Sequence, residues 1–177
     1  MGFVFLEGFD YYWNGQATPN GAQAQWVKGF LDQQLVMGRY GGLCLQHTRA
    51  GGTENILCNF PEGDITTGMI TVGFAFACSN LLTRQIMILD PASSTTEQFS
   101  LWQHADGSFS VRNGATTLGT SAAAQHVINT WYYLELAVTV ANSGSFELRL
   151  NNTNIVSGSG DTMGAANANT GRITLPE

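Results

Sequence analysis

The chain has 177 residues, 44% of them hydrophobic, with 7 basic and 13 acidic side chains and a net charge of −6. This length and apolar content suit one packed domain, residues 1–177, and exclude wholesale disorder and a disulfide-stapled mini-protein. A single lysine, Lys28, and the lack of any basic stripe exclude a phosphate-neutralising binder of nucleic acid or anionic membrane.

No apolar run approaches the ~18 residues of a membrane span. The first residues carry no basic n-region, so no signal peptide is expected. Cys44, Cys58 and Cys78 are odd in number and lack CxxC spacing, so free, buried thiols are expected. Charged residues are only 11% of the chain, which leaves the surface to Ser, Thr, Asn, Gln and Gly.

Period-two alternation dominates, and 21 glycines punctuate it. In chain order, strands are predicted at residues 3–9, Leu43–His47, 54–59 and 69–78. In the last of these, Ile70, Val72, Phe74, Phe76 and Cys78 form one apolar face. Strands follow at 85–89, Phe99–Gln103 and 109–111, with Asp106-Gly107 turning between the last two. A short helix is predicted at 122–128. In the strand at 131–141, Tyr132, Leu134, Leu136, Val138 and Val140 face one way, and Trp131, Tyr133 and Glu135 the other. Asn142-Ser143-Gly144 joins it to Phe146, Leu148 and Leu150, and Asn151-Asn152 turns toward Ile155-Val156. Residues 158–171 are the most loop-like stretch, and Arg172–Leu175 ends the pattern. About ten short strands at this spacing read as an all-β, two-sheet antiparallel sandwich or jelly roll.

The order of several motifs carries a resemblance. Leu6-Glu7-Gly8-Phe9-Asp10 is followed by Gly38-Arg39-Tyr40-Gly41-Gly42-Leu43-Cys44-Leu45 and Thr71-Val72-Gly73-Phe74-Ala75-Phe76. Trp102 and Asp106-Gly107-Ser108-Phe109-Ser110-Val111 precede Leu118-Gly119-Thr120-Ser121. Trp131-Tyr132-Tyr133-Leu134-Glu135 leads to Leu148-Arg149-Leu150-Asn151-Asn152. Over residues 3–162 this order resembles the concanavalin A-like lectin/glucanase (laminin G-like) jelly rolls of tailed-bacteriophage virion proteins. The resemblance implies two curved sheets packed face to face, and glycan or protein binding more often than catalysis.

Glycoside hydrolysis needs two carboxyls across the scissile bond. Glu135 and Glu147 have no second acid at i+2 or i+4 on their strands. Counting from the Asn142-Ser143-Gly144 turn places Glu135 diagonal to Arg149, a cross-strand ion pair rather than a catalytic acid. No nucleophile elbow and no P-loop is present, and no catalytic residue is expected. No metal cluster is spaced in the sequence. Laminin G-like relatives nevertheless hold Ca²⁺ in loops, which makes Asp161 and Asn152 the calcium candidates, with ordinary turn residues as the alternative. The glycan-binding candidates are Trp102, His104, Arg112, Trp131 and Tyr133, rings for stacking beside polar groups. Gln103 is a further polar candidate. The alternative is that these rings fill the ends of the core or sit under loops.

The expected function is therefore a non-enzymatic, lectin-like structural, decoration or fibre module of a phage virion, made in the host cytoplasm and possessing no cofactor. The alternative is a glucanase-like glycoside hydrolase of the same fold. Expected partners are other virion subunits, further copies of the chain and cell-surface polysaccharide. Phe3, Val4, Phe5 and Leu6 form an apolar, lysine-free strand expected to serve as an assembly edge under a neighbouring subunit. Pairing of that strand with Arg172–Leu175 is the alternative.

Overall fold

Alternating apolar residues separated by Gly, Asn and Asp turns leave the backbone one economical arrangement: short antiparallel strands with one face buried. A computed structural model describes residues 33–37, 43–47, 56–60, 63–93, 96–164 and 169–176. Twelve strands appear: β1 (Gln33–Met37), β2 (Leu43–His47), β3 (Ile56–Asn59), β4 (Met69–Phe76), β5 (Arg84–Asp90), β6 (Phe99–Gln103), β7 (Phe109–Asn113), β8 (Thr116–Thr120), β9 (Tyr132–Thr139), β10 (Gly144–Leu150), β11 (Thr153–Gly160) and β12 (Arg172–Leu175). There is no helix among the described residues.

Two antiparallel sheets form the sandwich. One has the order β11-β10-β9-β4 and the other β3-β12-β5-β6-β7-β8, while β1 and β2 pair as a separate ribbon. The core lies between their inner faces. Leu134, Leu136, Val138, Phe146 and Leu148 from the first sheet meet Met87, Leu89, Phe99, Leu101, Phe109 and Val111 from the second. Each such side chain contributes about 1.5–3 kcal/mol by leaving water. The Phe99 and Phe146 rings pack across the gap at 5.9 Å. The Phe146 ring also lies under Gly119 and Gly158, where an added Cβ would stand 3.1 and 2.9 Å from the ring. Only glycine lets the β8 and β11 backbones come that close.

The turns follow their chemistry. Asn151 and Asn152 have φ of 49° and 68°, the double left-handed turn of a two-residue hairpin. Buried Thr162 pins the β9–β10 turn. Its hydroxyl donates to Thr139 O at 2.6 Å and accepts from Ala141 N at 3.0 Å.

Some expectations change. Residues 122–128 form no helix, because Ala124 and Asn129 adopt φ of 57° and 56°. Ala124 N and Gln125 N donate instead to Asp106 O and Gly107 O. The segment thus lies along the β6–β7 turn and spends its amides there, which an alanine-rich pattern does not disclose. Strand β11 runs to Gly160, inside the stretch read as a loop. Strand β12 is hydrogen-bonded on both sides, to β3 and β5, so the alternative pairing of Arg172–Leu175 with residues 3–9 has no edge left to use. Phe3, Val4, Phe5 and Leu6, the expected assembly edge, lie outside the described residues. Cys58 and Cys78 are buried, Cys78 as a free thiol, and the Cys44 side chain lies outside the description.

Candidate functional site

The β6–β7 hairpin sets the site. Phe99, Leu101, Phe109 and Val111 point into the core, so the alternate residues Ser100, Trp102, Ser110 and Arg112 occupy the outer face of the six-stranded sheet. Register places Trp102 opposite Ser110 and Gln85, and Arg112 opposite Ser100 and Thr117. Arg112 therefore lies diagonal to Trp102, and its guanidinium carbon stands 4.3 Å from the ring centroid. The ring is tethered in turn. Trp102 Nε1 donates to Ser100 Oγ at 2.9 Å, and Ser100 Oγ donates to Glu97 Oε1 at 2.5 Å. Gln85 Nε2 holds the other Glu97 oxygen at 2.8 Å.

His104 leaves β6 beside this pair, with Nε2 2.7 Å from Ser110 Oγ. At the turn, Asp106 Oδ1 accepts from Ser108 Oγ at 2.7 Å and Ser108 N at 2.9 Å. Those bonds from Ser108 hold the Asp106 carboxyl below its ordinary range, so it stays charged. A groove of about 390 Å³ opens here, lined by His104, Asp106, Ser110, Arg112, Thr117 and Thr120 among others.

Three sequence candidates, Trp102, His104 and Arg112, thus converge, but in changed roles. Trp102 does not line the groove; it forms the bed on which Arg112 lies. Gln103 is fully buried and bonded to Asn80 O at 3.1 Å, so it is no surface contact. Sequence reasoning missed Gln85, Glu97 and Ser100, the tether of Trp102. Counting register outward from Asp106-Gly107 would have placed Ser100 and Arg112 on one face with Trp102.

Tyr133 is elsewhere. It alternates with core Leu134, so it lies on the outer face of the four-stranded sheet, and it is 40% exposed. Its hydroxyl covers Gly73, where an added Cβ would collide with it. Trp131 is half-buried, just ahead of β9. These two aromatics do not join the Trp102 group.

Glu135 is directly opposite Arg149 in register, not diagonal to it. Arg149 bridges Glu135 at 3.6 Å and Glu147 at 2.7 Å, and Asn154 Nδ2 donates to the same Glu147 oxygen. That network occupies both acids. The calcium candidates are separated: Asn152 precedes β11 and Asp161 follows it. That strand has 8 residues, a span of about 26 Å, so one ion cannot bridge them. Asp161 Oδ1 instead accepts from Met163 N at 3.0 Å. Among the described residues no group of three His, Cys, Asp or Glu side chains converges on a metal position.

The buried His126 props the same hairpin from inside. Its Nδ1 meets Gly107 O at 3.0 Å, and its ring stacks on Phe109 at 4.5 Å. Burial pushes its pKa down, so the ring is neutral with the proton on Nδ1, toward the carbonyl. The His104–Ser110 contact has the spacing of a base and a nucleophile. Ser110, however, is 1% exposed, so its hydroxyl supports His104 more than it meets a substrate.

No family model matches the chain, and no curated protein matches it. Solved structures share the fold. A chain described as a sialidase superposes with a TM-score of 0.57 at 12% identity, over 86% of this chain and 15% of that one. A mutant of the Emp46p carbohydrate recognition domain gives 0.52 at 10% identity, over 92% and 86%. The endo-β-1,4-glucuronan lyase of Trichoderma reesei gives 0.51 at 13% identity, over 98% and 80%. The chain spans only a small part of the sialidase. The expected jelly-roll sandwich is thus the observed fold, with lectin-like structural neighbours.

Proposed function

We propose that the protein is a non-catalytic carbohydrate-binding module that seats a polysaccharide chain in the groove on the outer face of its six-stranded sheet. The observation that carries this is the convergence of His104, Asp106 and Arg112 around one groove, with His104 braced by Ser110 and Arg112 fixed on Trp102. Sugar sites are built from a few fixed polar groups on a rigid scaffold, and this hairpin supplies them. Solved structures of the same fold include a carbohydrate recognition domain and polysaccharide lyases, which supports a polysaccharide ligand. The non-catalytic part rests on the occupied acids Glu135 and Glu147 and on the burial of Ser110. The setting we propose is a virion surface, on the strength of the motif order and the charge-poor composition.

Titration against a panel of neutral and acidic polysaccharides tests the reading. His104→Ala should weaken binding while Tyr133→Ala leaves it unchanged. The reverse pattern would move the site to the other sheet. Prolonged incubation should release neither reducing ends nor unsaturated products; accumulation of either would overturn the non-catalytic reading.

A further inference from the structure

Four arginines are described, and their surroundings differ. Arg172 grips Asp90 through two bonds of 2.6 and 2.9 Å, and Arg149 holds two glutamates. Arg84, across from buried Gln103, likewise has a buried Nε without a hydrogen bond, but it does not line the groove. Arg112 lines the groove and, among the described residues, has no carboxylate within 4 Å. Its Nε is buried without a hydrogen bond. A guanidinium cannot shed its proton, so a half-buried, unneutralised one keeps an unmet demand for an anion. The indole beneath it and the tether through Ser100 and Glu97 already restrict its motion, which lowers the entropic cost of accepting a ligand. The fork matches a planar two-oxygen acceptor. The groove also presents Asp106 and the hydroxyls of Thr117 and Thr120, which match sugar hydroxyls.

We propose that the ligand of this groove is a carboxylated saccharide, a uronate-bearing chain whose carboxylate is received by Arg112. This deepens the carbohydrate-binding reading and rests on it. The net charge of −6 and the charged Asp106 in the groove repel polyanions in general, so attraction depends on the local charge of Arg112.

The test uses the full chain with polygalacturonate, the same polymer after reduction of its carboxyl groups, neutral laminarin, and dextran sulfate. Polygalacturonate should bind, and carboxyl reduction should weaken binding by about tenfold or more, the scale of a charge-assisted bond. Arg112→Gln should reproduce that loss, and Arg112→Lys should recover part of it. Thr117→Glu places a carboxylate directly opposite Arg112 at an exposed position and should abolish binding in a protein that still folds. Equal binding of the reduced polymer or of laminarin, with no effect of Arg112→Gln, would overturn the uronate inference and leave the carbohydrate-binding reading standing. Tighter binding of dextran sulfate than of polygalacturonate would also overturn it. If none of the four polymers binds, both readings fail together.

Discussion

The outer faces of the two sheets solve the same problem in opposite ways. On the four-stranded sheet, Arg149 is neutralised by Glu135 and Glu147, Asn154 adds a bond, and Tyr133 lies over Gly73. On the six-stranded sheet, Arg112 lies on Trp102 at a groove and has no carboxylate within 4 Å among the described residues. One face satisfies itself; the other is organised but incomplete. Charge alone does not separate them, since each presents an arginine beside an aromatic-bearing strand. Whether the arginine already has its counter-ion does.

The largest expected effect comes from a third arginine, the buried one. Asp90→Ala would remove the carboxylate that buried Arg172 grips with two bonds, a loss of about 3–5 kcal/mol. Calorimetry should record a melting temperature lower by roughly 10 °C. A change near zero would mean that the Asp90 carboxylate does not hold Arg172 in place.

The next effect is on binding. Glu97→Gln replaces the charged acceptor at the end of the Trp102 tether, and polysaccharide affinity should fall several-fold with a shift in tryptophan emission. Unchanged affinity would show that the tether does not organise Arg112.

The β6–β7 hairpin owes much of this to buried His126. Burial holds its folded pKa below the 6.5 of a free imidazole, so the unfolded chain takes up the proton first. Its contribution to stability is fully present above about 6.5 and is lost as pH falls below that value. Melting temperatures measured from pH 7.5 down to 5.5 should fall for the natural protein, and His126→Phe should flatten that slope. An equal slope in both would remove His126 as the support of the turn.

The smallest effects belong to the self-satisfied face. Arg149→Gln should change the melting temperature by about a degree and affinity not at all, because exposed ion pairs contribute little. Gly73→Ala should push the Tyr133 ring aside with little loss of stability, again without effect on binding.

Much of the fold was legible because its signals are local. Leu43–His47 was read with its observed bounds, and Asn151-Asn152 declared its left-handed turn. The hairpin at Asp106-Gly107 was equally plain. The three site candidates on that hairpin were named, but the role of Trp102 was not legible. A lone tryptophan on an outer face reads as a sugar platform, and only the diagonal pairing with Arg112 turns it into a support. The 122–128 segment misled for a similar reason. Its alanines favour a helix locally, while the carbonyls that capture its amides belong to residues about twenty positions away.

The most direct measurement is the amide and side-chain shift map of the labelled protein titrated with oligogalacturonate. The account predicts perturbations confined to the groove, at His104, Asp106, Ser110, Arg112, Thr117 and Thr120, with the Trp102 indole N–H responding through Arg112. Perturbations centred on Tyr133, Glu135 and Arg149, or none anywhere, would contradict it.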